Sequence, residues 1–278
     1  PAPATDMQDR RKLLFASLFI ASPALVALGG YQAGLLERAE NNTIDARYRI
    51  APPDRPVSDQ IVLIEIDDET LEKYERFERE ENSDRAAFGK WPWPRASYPP
   101  LLDYLAGGGP RMILMDILFT EESADDLELA LANQNLGLIS HAAYFREVEY
   151  DGEQPGLPES MRAQALLPAD SPGTEHVRAY NGMNYPFGVI GETTAFLHSV
   201  TFDRDPGGVA RRVPPVFVYQ EPGANYWYPS LALQAFSAYY PIESVRAERS
   251  RLLVQTAAAA IANPLRDGRP RQHYNGED

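Results

Sequence analysis

Three short segments limit the possible folds more than any other feature of the chain. Ile61-Val-Leu-Ile-Glu-Ile-Asp67 is an apolar run with β-branched residues, followed by Asp68-Glu-Thr-Leu71, in which Asp68 is placed to cap a short helix starting at Glu69. Trp91-Pro-Trp93-Pro-Arg95 is a stiff aromatic segment leading into a helix, with Ser97 as N-cap candidate and Pro99 and Pro100 at first-turn positions. Met112-Ile-Leu-Met-Asp116-Ile-Leu-Phe119 is a second apolar run with acids behind it. Gly107, Gly108, Gly109 and Pro110 end the intervening helix. Residues 125–136 then read as a helix with Leu127, Leu131 and Leu136 inward, and residues 138–145 as a third strand. Strand, helix, strand, helix, strand predicts right-handed parallel crossovers and a loosely Rossmann-like first half.

The rest of the chain is less regular. Residues 75–90 are densely charged and read as a solvated insertion. Between Arg146 and Tyr185 the sequence is rich in Gly and Pro, which predicts a long irregular excursion and a candidate lid. Strands are expected over 189–202, 213–219, 252–255 and 271–274, with a helix over 228–240. The predicted fold class is α/β: a mixed, partly parallel sheet with flanking helices, preceded by one transmembrane helix.

That helix comes from the N-terminus. Arg10, Arg11 and Lys12 precede a mostly apolar stretch over residues 13–36, which meets Glu37 and Arg38. At about 1.5 Å per residue this stretch reaches about 36 Å, against a bilayer core of about 30 Å. The basic flank predicts a cytoplasmic tail over residues 1–12, a transmembrane helix over 13–36, and an exported domain over 41–278. Pro52, Pro53 and Pro56 would form a stiff connector. The alternative is a cleaved signal peptide, since Ala27-Leu-Gly29 is a passable small-x-small site. Both readings export the domain. The lipid bilayer is therefore the first expected partner, with the domain on the exported side of it.

Composition excludes several functions. Asp and Glu outnumber Lys and Arg by 40 to 26, a net charge of -14, which leaves no basic footprint for nucleic acid. The absence of cysteine removes thiol catalysis, disulfides and Cys-ligated zinc. Gly107 to Gly109 leave a helix and enter a strand, the reverse of a phosphate-binding loop. The four histidines are widely spaced, and no Gly-x-Ser-x-Gly elbow occurs. No catalytic residues, cofactor or metal are expected, and the chain does not read as an enzyme. A carboxylate set of Asp67, Asp68, Asp116, Glu121, Glu122, Asp125 and Asp126 at the strand ends offers hard oxygens suited to Ca²⁺ or Mg²⁺. Helix caps, loop-amide acceptors and solvated acids are the simpler account of it. The candidate rim of a ligand pocket is Asp67, Asp68, Trp91, Trp93, Arg95, Asp116 and His141. Two indoles and a guanidinium suit an aromatic or anionic ligand, although packing of the segment explains the same residues.

The three opening segments occur with Ser140-His141, Asp151-Gly152, Asp203 to Pro214 with Arg211-Arg212-Val-Pro214, and Tyr228-Pro-Ser-Leu-Ala-Leu233. Pro264-Leu-Arg-Asp-Gly268 and Tyr274-Asn-Gly276 follow in order. Together they resemble the CHASE2 domain, an extracytoplasmic sensor module of bacterial transmembrane receptors such as nucleotide cyclases and kinases, over roughly residues 41–276. The resemblance implies a sensor that binds an unknown small ligand or protein partner and signals through membrane helices. It also implies that the domain continues past the last motif, into membrane helices and an output domain this sequence does not contain. The longer 75–90 and 146–185 insertions leave the ligand open. A homodimer, an accessory or scaffold subunit of a membrane complex and, third, a metal-dependent hydrolase are the other readings.

Overall fold

The computed structural model of the chain describes residues 22–23, 26, 28–30, 34–51, 58–73, 91–166, 173–205, 208–248, 251–256, 260–266 and 269–270. Two compact units are present, Pro1–Ile64 with Asp205–Val209, and Glu65–Arg204 with Ala210–Asp278. In the first, helix α1 (Leu35–Ile50) begins after Gly34, whose φ of 67° is left-handed. Asn41 is buried on α1 and donates from Nδ2 to Asp205 Oδ2 at 3.2 Å, so the 205–209 loop belongs to this unit. Most of the predicted span over 13–36 lies outside the described residues, as do the proline connector and the 75–90 insertion. Among the described residues no helix is long and apolar enough to cross a membrane.

The larger unit is mixed α/β with three sheets. Strands β1 (Ile113–Met115) and β2 (Ile139–Arg146) are parallel and joined by helix α3 (Asp126–Leu136); helix α2 (Tyr98–Ala106) precedes them. The other edge of β2 carries β5 (Phe196–Ser199), also parallel, and its last three residues pair antiparallel with β4 (Gly182–Asn184). A second sheet sets β3 (Ala179–Tyr180) parallel to β6 (Val216–Glu221), which forms an antiparallel hairpin with β7 (Ala224–Pro229). The third sheet is antiparallel, with β8 (Ile242–Glu248), β9 (Arg251–Thr256), β10 (Ala260–Arg266) and β11 (Arg269–Pro270) in sequence order. Short helices α4 (Glu159–Ala163), α5 (Gly188–Thr193) and α6 (Leu231–Ser237) complete it.

The proline and glycine boundaries of α2 follow their predicted chemistry, whereas Ser97, the N-cap candidate, makes no side-chain cap hydrogen bond. Pro99 and Pro100 occupy the first turn of α2 after Ser97, and Gly107 ends it. Gly137 at φ 63° closes α3, its N–H donating to the Asn133 carbonyl at 2.9 Å. At Gly173, φ is 88° and an added Cβ would lie 2.0 Å from the Ala247 carbonyl oxygen, so only glycine lets the backbone approach β8.

Several expectations are corrected. Residues 61–67 form no strand, and Ile61, Val62, Leu63 and Ile64 are 51–85 % exposed. The strand pattern is present, but among the described residues no strand pairs with it. On α3 the inward residues are Leu129, Ala130, Ala132 and Asn133, whereas Leu127 and Leu131 are 61 % and 48 % exposed. The leucines lie on the opposite face from the small residues that approach the sheet. The first part of the strand expected over 189–202 is helix α5, and only Phe196–Ser199 is strand. The helix expected from 228 is preceded by β7, which follows a turn at Pro222-Gly223. The described part of the 146–185 excursion is pinned: Leu157 N donates to Glu221 Oε2, Arg162 pairs with Glu221 at 3.1 Å, and Tyr228 Oη donates to the Met161 carbonyl at 2.7 Å. The strand expected over 271–274 lies outside the described residues.

Phe145 is the centre of one core. Its ring stacks on Phe217 at 5.5 Å, meets Tyr180 edge-on at 6.0 Å, and lies 5.5 Å from Tyr228. Phe145→Ala is expected to cost about 3 to 5 kcal/mol, and Tyr144→Ala, on the other face of the same strand, under about 1 kcal/mol. Urea denaturation of both variants checks this.

Candidate functional site

The aromatic segment enters the larger unit as a clip. Trp91 is 44 % exposed and Trp93 only 4 %, with their rings edge to face at 5.7 Å; the Trp91–Pro92 bond is cis. Trp93 lies 6.5 Å from Tyr98, Tyr98 is edge-on to Phe119 at 5.4 Å, and Phe119 is edge-on to His141 at 5.5 Å. A chain of ring contacts thus runs from an exposed indole to a buried imidazole. Burial pushes the Tyr98 phenol up to about 12.

Arg95 holds the segment to α3. Its Nε is 3.3 Å from Asp126 Oδ1, its Nη2 donates to the Glu121 carbonyl at 3.3 Å, and its guanidinium lies 4.7 Å from the Phe119 ring centroid. Ala96 N donates to Asp125 Oδ2 at 2.9 Å, and Ser123 donates from Oγ to Asp125 and from N to Asp126 Oδ2. Burial raises the Asp125 carboxyl, but the hydrogen bonds from Ser123 and Ala96, with the charge of Arg95, bring it below the usual carboxylate range.

The seven candidate rim residues therefore separate. Trp91, Trp93 and Arg95 meet, and His141 joins them through Phe119. Asp67 and Asp68 are exposed on the 61–73 segment, and Asp116 is exposed after β1. The helix cap is Asp67 rather than Asp68: Asp67 Oδ1 accepts from Thr70 N at 2.8 Å and from Thr70 Oγ1 at 2.6 Å. The hydroxyl bond holds its carboxyl below the usual range. Among the described residues no group of three or more His, Asp or Glu is placed to hold a metal ion.

His141 and His198 are both completely buried. His141 Nε2 lies 2.9 Å from Asn133 Oδ1, which can only accept, so Nε2 carries the proton and Nδ1 is bare. His198 Nδ1 lies 2.8 Å from Ser140 Oγ. The other nitrogen of each ring, His141 Nδ1 and His198 Nε2, is sealed from solvent with no hydrogen-bond partner. Burial, reinforced by the neighbouring His198, pushes His141 down to about 3, and burial pushes His198 down to about 4. Sequence reading placed His141 on a rim and passed over His198. Its spacing from Ser140 becomes visible only in the β2–β5 register, which sets Ala142 opposite His198.

A lost core indole and a lost surface indole differ in cost. Trp93→Ala is expected to destabilise by about 3 to 5 kcal/mol and Trp91→Ala by under about 1 kcal/mol. Asp116→Asn, at an exposed position without a buried hydrogen bond, should fall within about 0.5 kcal/mol of the parent. Denaturant midpoints of the three variants decide it.

Residues 22–275 match the family model of the CHASE2 domain. No curated protein matches, and no solved structure does.

Proposed function

The chain belongs to the CHASE2 domain family, which is a family of extracytoplasmic sensory domains, and from that membership we propose that it is the sensing module of a membrane-anchored bacterial receptor. The observation that carries the proposal is the extent of the match, which takes in nearly the whole chain from residue 22 onward. Residues 13–36 then serve as the anchor, with residues 1–12 in the cytoplasm and residues 41–278 in the periplasm. In this reading the domain binds a small ligand or a protein partner and passes the change to the membrane.

Trp91 is the proposed ligand contact. It combines a half-exposed indole with a rigid base, because Trp93 and Arg95 on either side of Pro94 are fixed in the core and in the Asp126 pair. A fixed indole costs little conformational entropy on binding. Trp93, Arg95 and His141 position it from below, and the carboxylates Asp67, Asp68 and Asp116 remain outer candidates. Asp125 and Asp126 are engaged with Ala96, Ser123 and Arg95, so the acidic set has structural work that the hydrolase reading does not need.

A subunit of a membrane complex is the second reading. It is favoured by the exposed run Ile61–Ile64 and by the Leu127 and Leu131 face, apolar surface of the kind that marks protein contacts.

Membrane fractionation with N-terminal sequencing tests the anchor, and protease accessibility in spheroplasts tests the side. The expected outcome is a membrane-bound chain that keeps residues 13–36 and is cleaved from the periplasmic side. A mature N-terminus near Gly30 would remove the anchor, and a domain cut only after cell lysis would remove the sensor.

A further inference from the structure

The centre of the parallel sheet holds two imidazoles that neither the aromatic clip nor the proposed ligand contact uses. Adjacent residues of a strand face opposite sides of its sheet. Ser140 bonds His198, so His198 lies on the Ser140 face of the sheet, and the next residue, His141, points to the other face, toward Asn133 of α3 and the Phe119 ring. The two rings bracket β2, one on each side, between β1 and β5.

Each ring is matched to its neutral form. One nitrogen is hydrogen-bonded and the other is sealed without a partner: at His141 a second proton would add a buried charge and a buried unpaired N–H together, and at His198 it would add a buried charge beside a nitrogen with no partner. Among the described residues, the carboxylates of the neighbouring elements are paired or exposed. On α3, Asp126 is paired with Arg95 at the first turn and Glu128 is exposed; on α5, Glu192 is exposed; Asp116 and Glu121, flanking the segment that carries Phe119, are exposed. Helix α6, which packs on β5, has no titratable side chain at all. The charge acting on His141 is that of His198, and it is repulsive.

We propose that His141 and His198 form an acid-operated latch on the parallel sheet, so that protonation of the pair opens the β1, β2 and β5 layer and acidity of the surroundings becomes a signal the domain reads. The proposal rests on the sensor reading and names one stimulus for it. Both histidines have folded values below the ordinary imidazole value of about 6.5. The opened state therefore binds more protons. The closed sheet keeps its full stability above about pH 6.5 and loses it as pH falls toward the folded values. Two rings titrating on paired strands, His141 on β2 and His198 on β5, make the loss approach two protons per opening event, and their mutual repulsion keeps both from charging while the sheet stays closed.

Hydrogen exchange of the full chain, corrected for the intrinsic pH dependence of exchange and followed from about pH 7.5 to about pH 4.5, tests the latch. The expected result is a reversible loss of protection in peptides covering residues 113–115, 139–146 and 196–199, with the opening equilibrium steepening toward about a hundredfold per pH unit, the two-proton limit. Peptides over residues 242–256, in the antiparallel sheet, should keep their protection. His141→Gln and His198→Asn should each reduce the slope to about tenfold per pH unit, and the double variant should remove it. If a variant does not fold, proton NMR of the imidazole C–H signals in the parent chain decides. Both rings must titrate well below the ordinary histidine range and in step with the exchange. Protection unchanged to about pH 4.5, a slope that survives in the double variant, equal loss in the 242–256 peptides, or rings titrating at ordinary values would each overturn the latch. A flat response leaves the anchored-sensor reading intact, because fractionation and protease accessibility test that separately.

Discussion

Strand β2 has eight residues and three strand partners, and the larger unit is registered on it. β1 takes the edge of residues 139–141, β5 takes the opposite edge of residues 140–143, and β4 pairs with residues 144–146. A strand filled on both edges cannot slip by one residue without moving every side chain to the wrong face. Six positions of β2, the five consecutive ones from Ile139 to Ala143 and then Phe145, are buried on account of this. Phe145 ties the strand to β6 and β7 through Phe217 and Tyr228. Tyr228 in turn reaches α4 through Met161, and burial pushes its phenol well above the usual tyrosine range, so it stays a neutral donor.

The second constraint is the Arg95–Asp126 pair, which decides how the aromatic segment is used. Both side chains are largely buried, and breaking one partner of such a pair costs about 3 to 5 kcal/mol, because a charge is left unmatched. An exposed pair of the same length is worth about 0 to 1 kcal/mol. The Arg178–Glu147 pair is nearer that limit, although Arg178 gains from a second carboxylate, Asp203, at 2.7 Å. Arg95 thus functions first as a fastener. Any ligand role falls to what it holds in place, the exposed face of Trp91.

How much could be read from the sequence differs by element for physical reasons. Local chemistry was legible wherever the signal is carried within a turn or two: the prolines of α2 and the glycines that end it, the Leu138–Phe145 run, and the acids explained as acceptors of backbone amides. Errors arose where the partner lies far away in sequence. Residues 61–67 look like a strand because apolar and β-branched residues follow one another, yet strand formation needs an edge to bond to. Leu127 and Leu131 look like core because they are large and apolar, yet Leu129, Ala130, Ala132 and Asn133 pack inward, a face that sets one leucine among smaller side chains. Of the candidate site, the clustering of Trp91, Trp93 and Arg95 followed from adjacency in the chain. The cap at Asp67, one residue from the expected one, depended on where the helix begins. His198 was invisible, since nothing in its own neighbourhood marks it.

The separation between exposed and buried parts of the site has a consequence for sensing. Trp91 meets solvent; His141 does not; Trp93, Tyr98 and Phe119 lie between them in continuous ring contact. Phe119 is the junction, because its ring carries the Arg95 guanidinium as well as the His141 edge, and its carbonyl accepts from Phe187 N at 2.7 Å. A ring fixed by three neighbours moves only if they move with it, since a packed interior has no free volume to absorb a local shift. A ligand that reorients Trp91 and a proton that charges His141 would therefore act on the same few side chains from opposite ends. Two such stimuli would be coupled through Phe119 to the extent that each changed how well the closed packing fits, and by linkage such coupling would be reciprocal.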